Sequence, residues 1–163
     1  MRQIVGIAAD ALDINAAFVK EISMPAATVR LVEENAAGGK VREIFDDIKR
    51  TKNIDFVPSF WRALASYPDQ LELVWRQLKT LMHPDAAGRK SQLDAKTREI
   101  IALVVSATNG CAYCVNSHTA ALKKLGVNTE MLGEILAIAG LFNQTNALAE
   151  GYQIEPDVLP PLE

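Results

Sequence analysis

Apolar residues return in this chain at helical spacing and almost never alternate, and that property decides the fold class. Val41, Ile44, Phe45 and Ile48 fall at i, i+3, i+4 and i+7, one stripe of a 3.6-residue helix, while Arg42, Asp46, Asp47 and Lys49 occupy the other faces. Leu71, Val74, Trp75, Leu78, Leu81 and Met82 repeat the pattern; they are expected to point inward from a helix over 69–82 with Asp69 as its N-cap. Pro and Gly fall mainly between such segments, and period-2 alternation is nearly absent. The expectation is an all-α fold, one compact helical domain over residues 1–163.

Local punctuation sets the other elements. A helix is expected over 8–20, Pro25 closes the segment after it, and the stretch from there to Gly39 gives no clear signal. A short helix over 59–65 follows the Phe56-Val57-Pro58 loop and ends at Tyr67-Pro68, because the residue before proline disfavours the helical region. After His83-Pro84, Asp94 caps a helix in which Ile100, Ile101, Leu103, Val104 and Val105 are apolar nearly all round, the pattern of a helix buried at a domain centre. Asn109-Gly110 breaks it. The next helix, over 111–125, has Lys123 and Lys124 in its last turn and Gly126 just past its end. Asn128 or Thr129 then caps a helix through Leu141 and Phe142, and the tail after Gly151, with Pro156, Pro160 and Pro161, is expected to be extended.

Charge and hydropathy exclude several function classes. Seventeen Lys and Arg against twenty Asp and Glu leave a net charge of −3, without the basic footprint of a nucleic-acid binder or a polybasic membrane anchor. The uncharged run over 100–122 holds Asn109, Gly110, Asn116, Ser117 and His118, unlike a membrane-spanning helix. The apolar stretch over 4–12 is interrupted by Asp10 and reads as retained rather than cleaved, so a cytoplasmic location is expected.

Two cysteines, Cys111 and Cys114, are the whole thiol inventory, too few for a disulfide scaffold. On one helix, three residues give about 300° of rotation and ~4.5 Å of rise, placing their Cα atoms ~5 Å apart, within disulfide reach. In a first helical turn, unpaired N–H groups and the macrodipole favour a thiolate. His118 stands at i+4 from Cys114 and leans back toward it, able to take its proton. The dipole argument favours Cys111 as the attacking sulfur, the imidazole argument Cys114, and spacing leaves the order open. Glu99, on the preceding helix among Ile100 and Ile101 and on one face with Ala102 and Ser106, needs a partner; antiparallel packing would bring it opposite the 111–118 turn. Plainer readings stand beside these. The cysteines can be core packing, Glu99 a solvated charge, Tyr113 packing, and Trp61 and Trp75 core or interface residues with no cofactor. Cys111, Cys114, His118 and a fourth ligand such as His83 can make a zinc site.

Glu99, eleven residues, Cys111-Ala112-Tyr113-Cys114, three residues and His118 together resemble the Glu-x11-Cys-x2-Cys-x3-His signature of the alkylhydroperoxidase D-like, carboxymuconolactone decarboxylase superfamily. Gly39-x5-Phe45, Phe56-Val57-Pro58-Ser59-Phe60, Tyr67-Pro68 and Ala121-Leu122-Lys123-Lys124-Leu125-Gly126 extend the likeness over roughly residues 30–142. Residues 1–29 lie outside it as an N-terminal extension or oligomer arm. The resemblance implies an all-helical antioxidant enzyme without metal or other cofactor, reducing alkyl or hydrogen peroxide with a dithiol or lipoyl-type reductant. It implies a homo-oligomer, a dimer, trimer or hexamer, and with the charge and hydropathy above no nucleic-acid or membrane partner is expected. It also implies Cys114 as the peroxidatic thiol, Cys111 as its resolving partner, and Glu99 and His118 as a proton relay. Tyr113 departs from alkylhydroperoxidase D proper, which has a second relay histidine there; a phenol can donate a hydrogen bond but is no base at neutral pH. In this the chain looks like the broader peroxidase-related branch. The superfamily's true decarboxylases lack the thiol pair, which argues against lactone decarboxylation. The alternatives are a general dithiol–disulfide oxidoreductase and a zinc-stabilised interaction or sensor module.

Overall fold

The computed structural model describes residues 27–161, and among them every regular element is an α-helix or a 3₁₀ turn. The helix expected over 8–20 and most of the N-terminal extension lie outside the described residues. The chain divides into two compact units, one ending at Trp75 and one beginning at Arg76.

In the first unit, α1 (Gly39–Lys52) buries Ile44, Phe45 and Ile48, the stripe read from the sequence. Lys49, Arg50 and Lys52 fill its last turn, where the macrodipole favours cations, and Asn53 ends it in the left-handed region at φ 51°. A 3₁₀ turn (Glu34–Ala36) precedes it. Glu34 Oε1 accepts the Val57 N–H at 2.7 Å and Oε2 takes Lys49 Nζ at 3.3 Å, tying the loop before α2 (Ser59–Leu64) to α1. The Val57 N–H, followed by the Lys49 ammonium, holds the Glu34 carboxyl below the usual glutamate range against the opposing effect of burial.

The helix α3 (Pro68–Met82) begins before the expected cap, with Pro68 at its first position, where its fixed φ suits the helix and its missing N–H costs nothing. Asp69 is therefore in the first turn and not the cap, and pairs with Lys40 instead at 3.2 Å. Leu71 and Trp75 are buried, but Leu81 is exposed, contrary to the inward reading. Trp61 and Trp75 are core residues, as read, and meet edge-on with ring centroids 5.2 Å apart. Trp75 Nε1–H donates to Asp47 Oδ2 at 2.8 Å, so Asp47 on the polar face of α1 is a fixed acceptor and not simply a solvated charge.

The second unit holds α4 (Ala95–Thr108), α5 (Ala112–Lys124) and α6 (Thr129–Gly151), with α4 packed on both of the others. Asp94 caps α4 as read, accepting the Thr97 N–H at 2.7 Å. Gly110, at φ +69°, turns the chain back, and the Cys111 N–H closes the turn on the Ser106 carbonyl at 2.9 Å. Leu103, Leu122 and Val127 form the buried centre, with Ile100, Val115, Leu132 and Ile135 packed around it. Asn128 caps α6 through Met131 N–H, so Thr129 is its first residue. The expectation that α4 is buried all round is corrected: Leu103 and Ser106 are buried, but Ile101 is 49% and Val105 53% exposed, because α5 and α6 cover only part of its circumference. The helix α6 runs past Phe142 to Gly151 and buries only Ala139.

Candidate active site

The α4–α5 turn places all four signature residues. Cys111 is not the first residue of α5 but its N-cap, and its Sγ accepts the Cys114 N–H at 3.2 Å. The two cysteines are joined as a disulfide with Cα atoms 5.3 Å apart, close to the separation that helical geometry predicts. Antiparallel packing across the turn brings Glu99 of α4 to His118 of α5, with Glu99 Oε2 2.7 Å from His118 Nδ1. The two side chains are 16% and 25% exposed, so the bond is partly withdrawn from water, which strengthens it.

When the Glu99 carboxylate is ionised it only accepts, so Nδ1 then carries the hydrogen between them, and in the neutral ring Nε2 is left with the lone pair. An imidazole so oriented takes a proton at Nε2 while the carboxylate steadies the imidazolium, the arrangement that activates a nearby nucleophile. Ser106, on the same face of α4 as Glu99, is buried, its hydroxyl donating to the Ala102 carbonyl at 2.6 Å while its own carbonyl holds Cys111.

Two contributors escaped the sequence reading. The sulfur of Cys111 serves as a helix cap, which no preference signals because cysteine is not among the favoured cap residues. Arg98, next to Glu99, donates from Nη1 to the Leu93 carbonyl and to Ser91 Oγ at 3.0 Å, anchoring the approach to α4. Tyr113, read as packing, is about half exposed between the cysteines. Among the described residues no three His, Cys, Asp or Glu side chains gather in a geometry that would hold a metal ion. The sulfurs are bonded to each other instead.

The model of the carboxymuconolactone decarboxylase family matches residues 73–154, about half of the chain, and spans Glu99, both cysteines and His118. The chain belongs to this family. A solved structure, the alkylhydroperoxidase AhpD core from Rhodospirillum rubrum, is 44% identical with a TM-score of 0.73, the match covering 82% of this chain and 96% of that one. This family member is also 32% identical to an (R)-2-haloacid dehalogenase of Pseudomonas putida over 69% of its own length and 35% of that protein. It is 36% identical to the alkyl hydroperoxide reductase AhpD of Corynebacterium aurimucosum over 40% of its length and 36% of that protein. The chain thus spans about a third of the length of the curated relatives it matches. No helix among the described residues is long and apolar enough to cross a membrane.

Proposed function

We propose that this chain is a thiol-dependent peroxidase that reduces alkyl or hydrogen peroxide through a Cys111–Cys114 dithiol–disulfide cycle. The observation that carries the reading is the 2.7 Å pair between Glu99 of α4 and His118 of α5, the helix whose first turn carries the Cys111–Cys114 disulfide. In the reduced protein, His118 draws the proton from Cys114, and the thiolate attacks the peroxide's terminal oxygen. The O–O bond breaks, alcohol or water leaves, and Cys114 becomes a sulfenic acid. Cys111 displaces its hydroxyl as water and forms the disulfide, and an external dithiol or lipoyl-type reductant restores both thiols. Neither metal nor nucleotide takes part in this cycle, and the reading places the enzyme in the cytoplasm. The likeness to the AhpD core supports the reading, as does the four-residue signature.

Peroxide turnover with dithiothreitol tests it. Cys114→Ser should abolish turnover, and Cys111→Ser should allow one turnover and leave a trappable sulfenate. Full turnover by Cys114→Ser sinks the assignment. Turnover of a disulfide substrate with negligible peroxide reduction would instead favour a general dithiol–disulfide oxidoreductase.

The same reading includes a homo-oligomer. Ile101 and Val105 on α4, and Ile138, Leu141 and Phe142 on α6, are about half exposed, and large apolar side chains gathered on adjacent helices are stabilised when a second copy covers them. Light scattering that gives a mass of one chain, 17.8 kDa, would remove this part of the proposal.

A further inference from the structure

The peroxidase reading requires the disulfide to be opened again, and the contacts of its sulfurs bear on which one the reductant attacks. Cys111 Sγ occupies the acceptor position of a helix cap, with the Cys114 N–H, one of the unpaired donors of the first turn, directed at it from 3.2 Å. A disulfide sulfur is a weak acceptor and a thiolate a strong one, so this bond tightens when the S–S bond breaks and charge arrives on Cys111. The positive end of the α5 dipole acts in the same direction. In thiol–disulfide exchange the sulfur that leaves faster is the one whose thiolate is better stabilised, provided the other can be reached. Both cysteines are half-buried, so neither is sealed off. A hydroperoxide must reach Cys114 for the proposed cycle to run, and a small thiol can enter by the same opening; on this point the inference rests on the peroxidase reading.

We propose that the external dithiol attacks Cys114, that Cys111 leaves as the thiolate held by the Cys114 N–H, and that the mixed disulfide is carried on Cys114. Oxidant and reductant then meet the same sulfur, and Cys111 only closes and releases the bond. One reductant thiolate bonds to Cys114 Sγ as the Sγ–Sγ bond breaks and its electron pair goes to Cys111. The reductant's second thiol gives up its proton and attacks the reductant's own sulfur in the mixed disulfide. Cys114 departs with the electron pair and receives that proton through His118. The reductant ends as a cyclic disulfide, and its two electrons reside in the protein dithiol.

The test needs no peroxide. Oxidised wild-type protein is mixed with one equivalent of glutathione, quenched in acid within seconds, alkylated with N-ethylmaleimide, digested and read by fragment masses. The expected result is at least about tenfold more glutathione on Cys114 than on Cys111, with maleimide on Cys111, the ratio that favoured departure of the capped sulfur implies. Glutathione chiefly on Cys111, or shared equally, overturns the inference. A second measurement follows the pH dependence of iodoacetamide alkylation of Cys111 in Cys114→Ser, where the backbone donor is retained. Half-maximal rate at least about one pH unit below the ~8.5 of a free cysteine supports the proposal, and a midpoint at or above that value overturns it. Because peroxide is absent from both experiments, a protein that fails to turn over peroxide but carries glutathione on Cys114 would refute the peroxidase reading alone.

Discussion

Glu34 and Glu99 are both carboxylates that join two segments of chain, one in each unit, and their partners set them apart. Glu34 holds a backbone N–H and the Lys49 ammonium, groups that serve only as donors. Glu99 holds an imidazole, a ring that can both accept a proton and give one up. The first pair can only clamp, while the second can clamp and also move a proton. A carboxylate's fold position thus says little about its chemistry until its partner is known.

The largest expected effect comes from removing charge at Glu99 while keeping its shape. Glu99→Gln still offers an oxygen to Nδ1–H, so unfolding midpoints should shift by no more than about 1 kcal/mol, whereas peroxide turnover should fall ~10²–10⁴-fold, the usual worth of a general acid–base system. Equal turnover in the variant would make Glu99 a second clamp and collapse the distinction. Glu34→Ala should do the converse. Denaturant melts should show a loss of about 1 kcal/mol, at the low end for a charged hydrogen bond because solvent screens the Lys49 pair, with turnover per folded molecule unchanged.

Acid titration sharpens the same contrast. The Glu34 carboxyl is held below its ordinary value by the Val57 N–H and Lys49, so folding binds fewer protons there than the unfolded chain does. Its stabilisation is complete above the unfolded value of about 4.3 and is lost as pH falls through the lower folded value. The stability gap between wild type and Glu34→Ala, measured by urea melts from pH 7 to 3, should therefore narrow only below about pH 4.3. A constant gap would mean that the contact does not depend on the carboxyl's charge. The smallest effect concerns the sulfur cap. In fully reduced protein, Cys111→Ala should be less stable than Cys111→Ser by roughly 0.5–1 kcal/mol, because a serine hydroxyl can accept the Cys114 N–H and a methyl cannot. Equal melting would show that the cap bond contributes nothing to the helix.

Much of this is legible in the sequence. The stripe of α1, the caps Asp94 and Asn128, the break at Asn109-Gly110 and the end of α5 at Gly126 follow from spacing and from residues whose local chemistry suits one backbone position. The structure departs from the local pattern where a residue type suits two neighbouring positions or where burial depends on distant chain. Asp69 is a good cap, but Pro68 before it is a better first residue, and the helix starts there. Leu81, Ile101 and Val105 have the right period for a core, yet no element of the described chain covers them, since periodicity gives a direction and not a neighbour.

By itself, the sequence determined that the chain is helical, that Cys111 and Cys114 lie within bonding distance, and that His118 follows one turn later on the same helix, because all three depend on interactions over a few residues. Only the tertiary structure decided that Glu99 meets His118, since that contact needs a turn of known angle and two helices packed at one register. It also decided that Cys111 caps α5 with its sulfur, since the cap position depends on where the turn from Ser106 releases the chain into the helix.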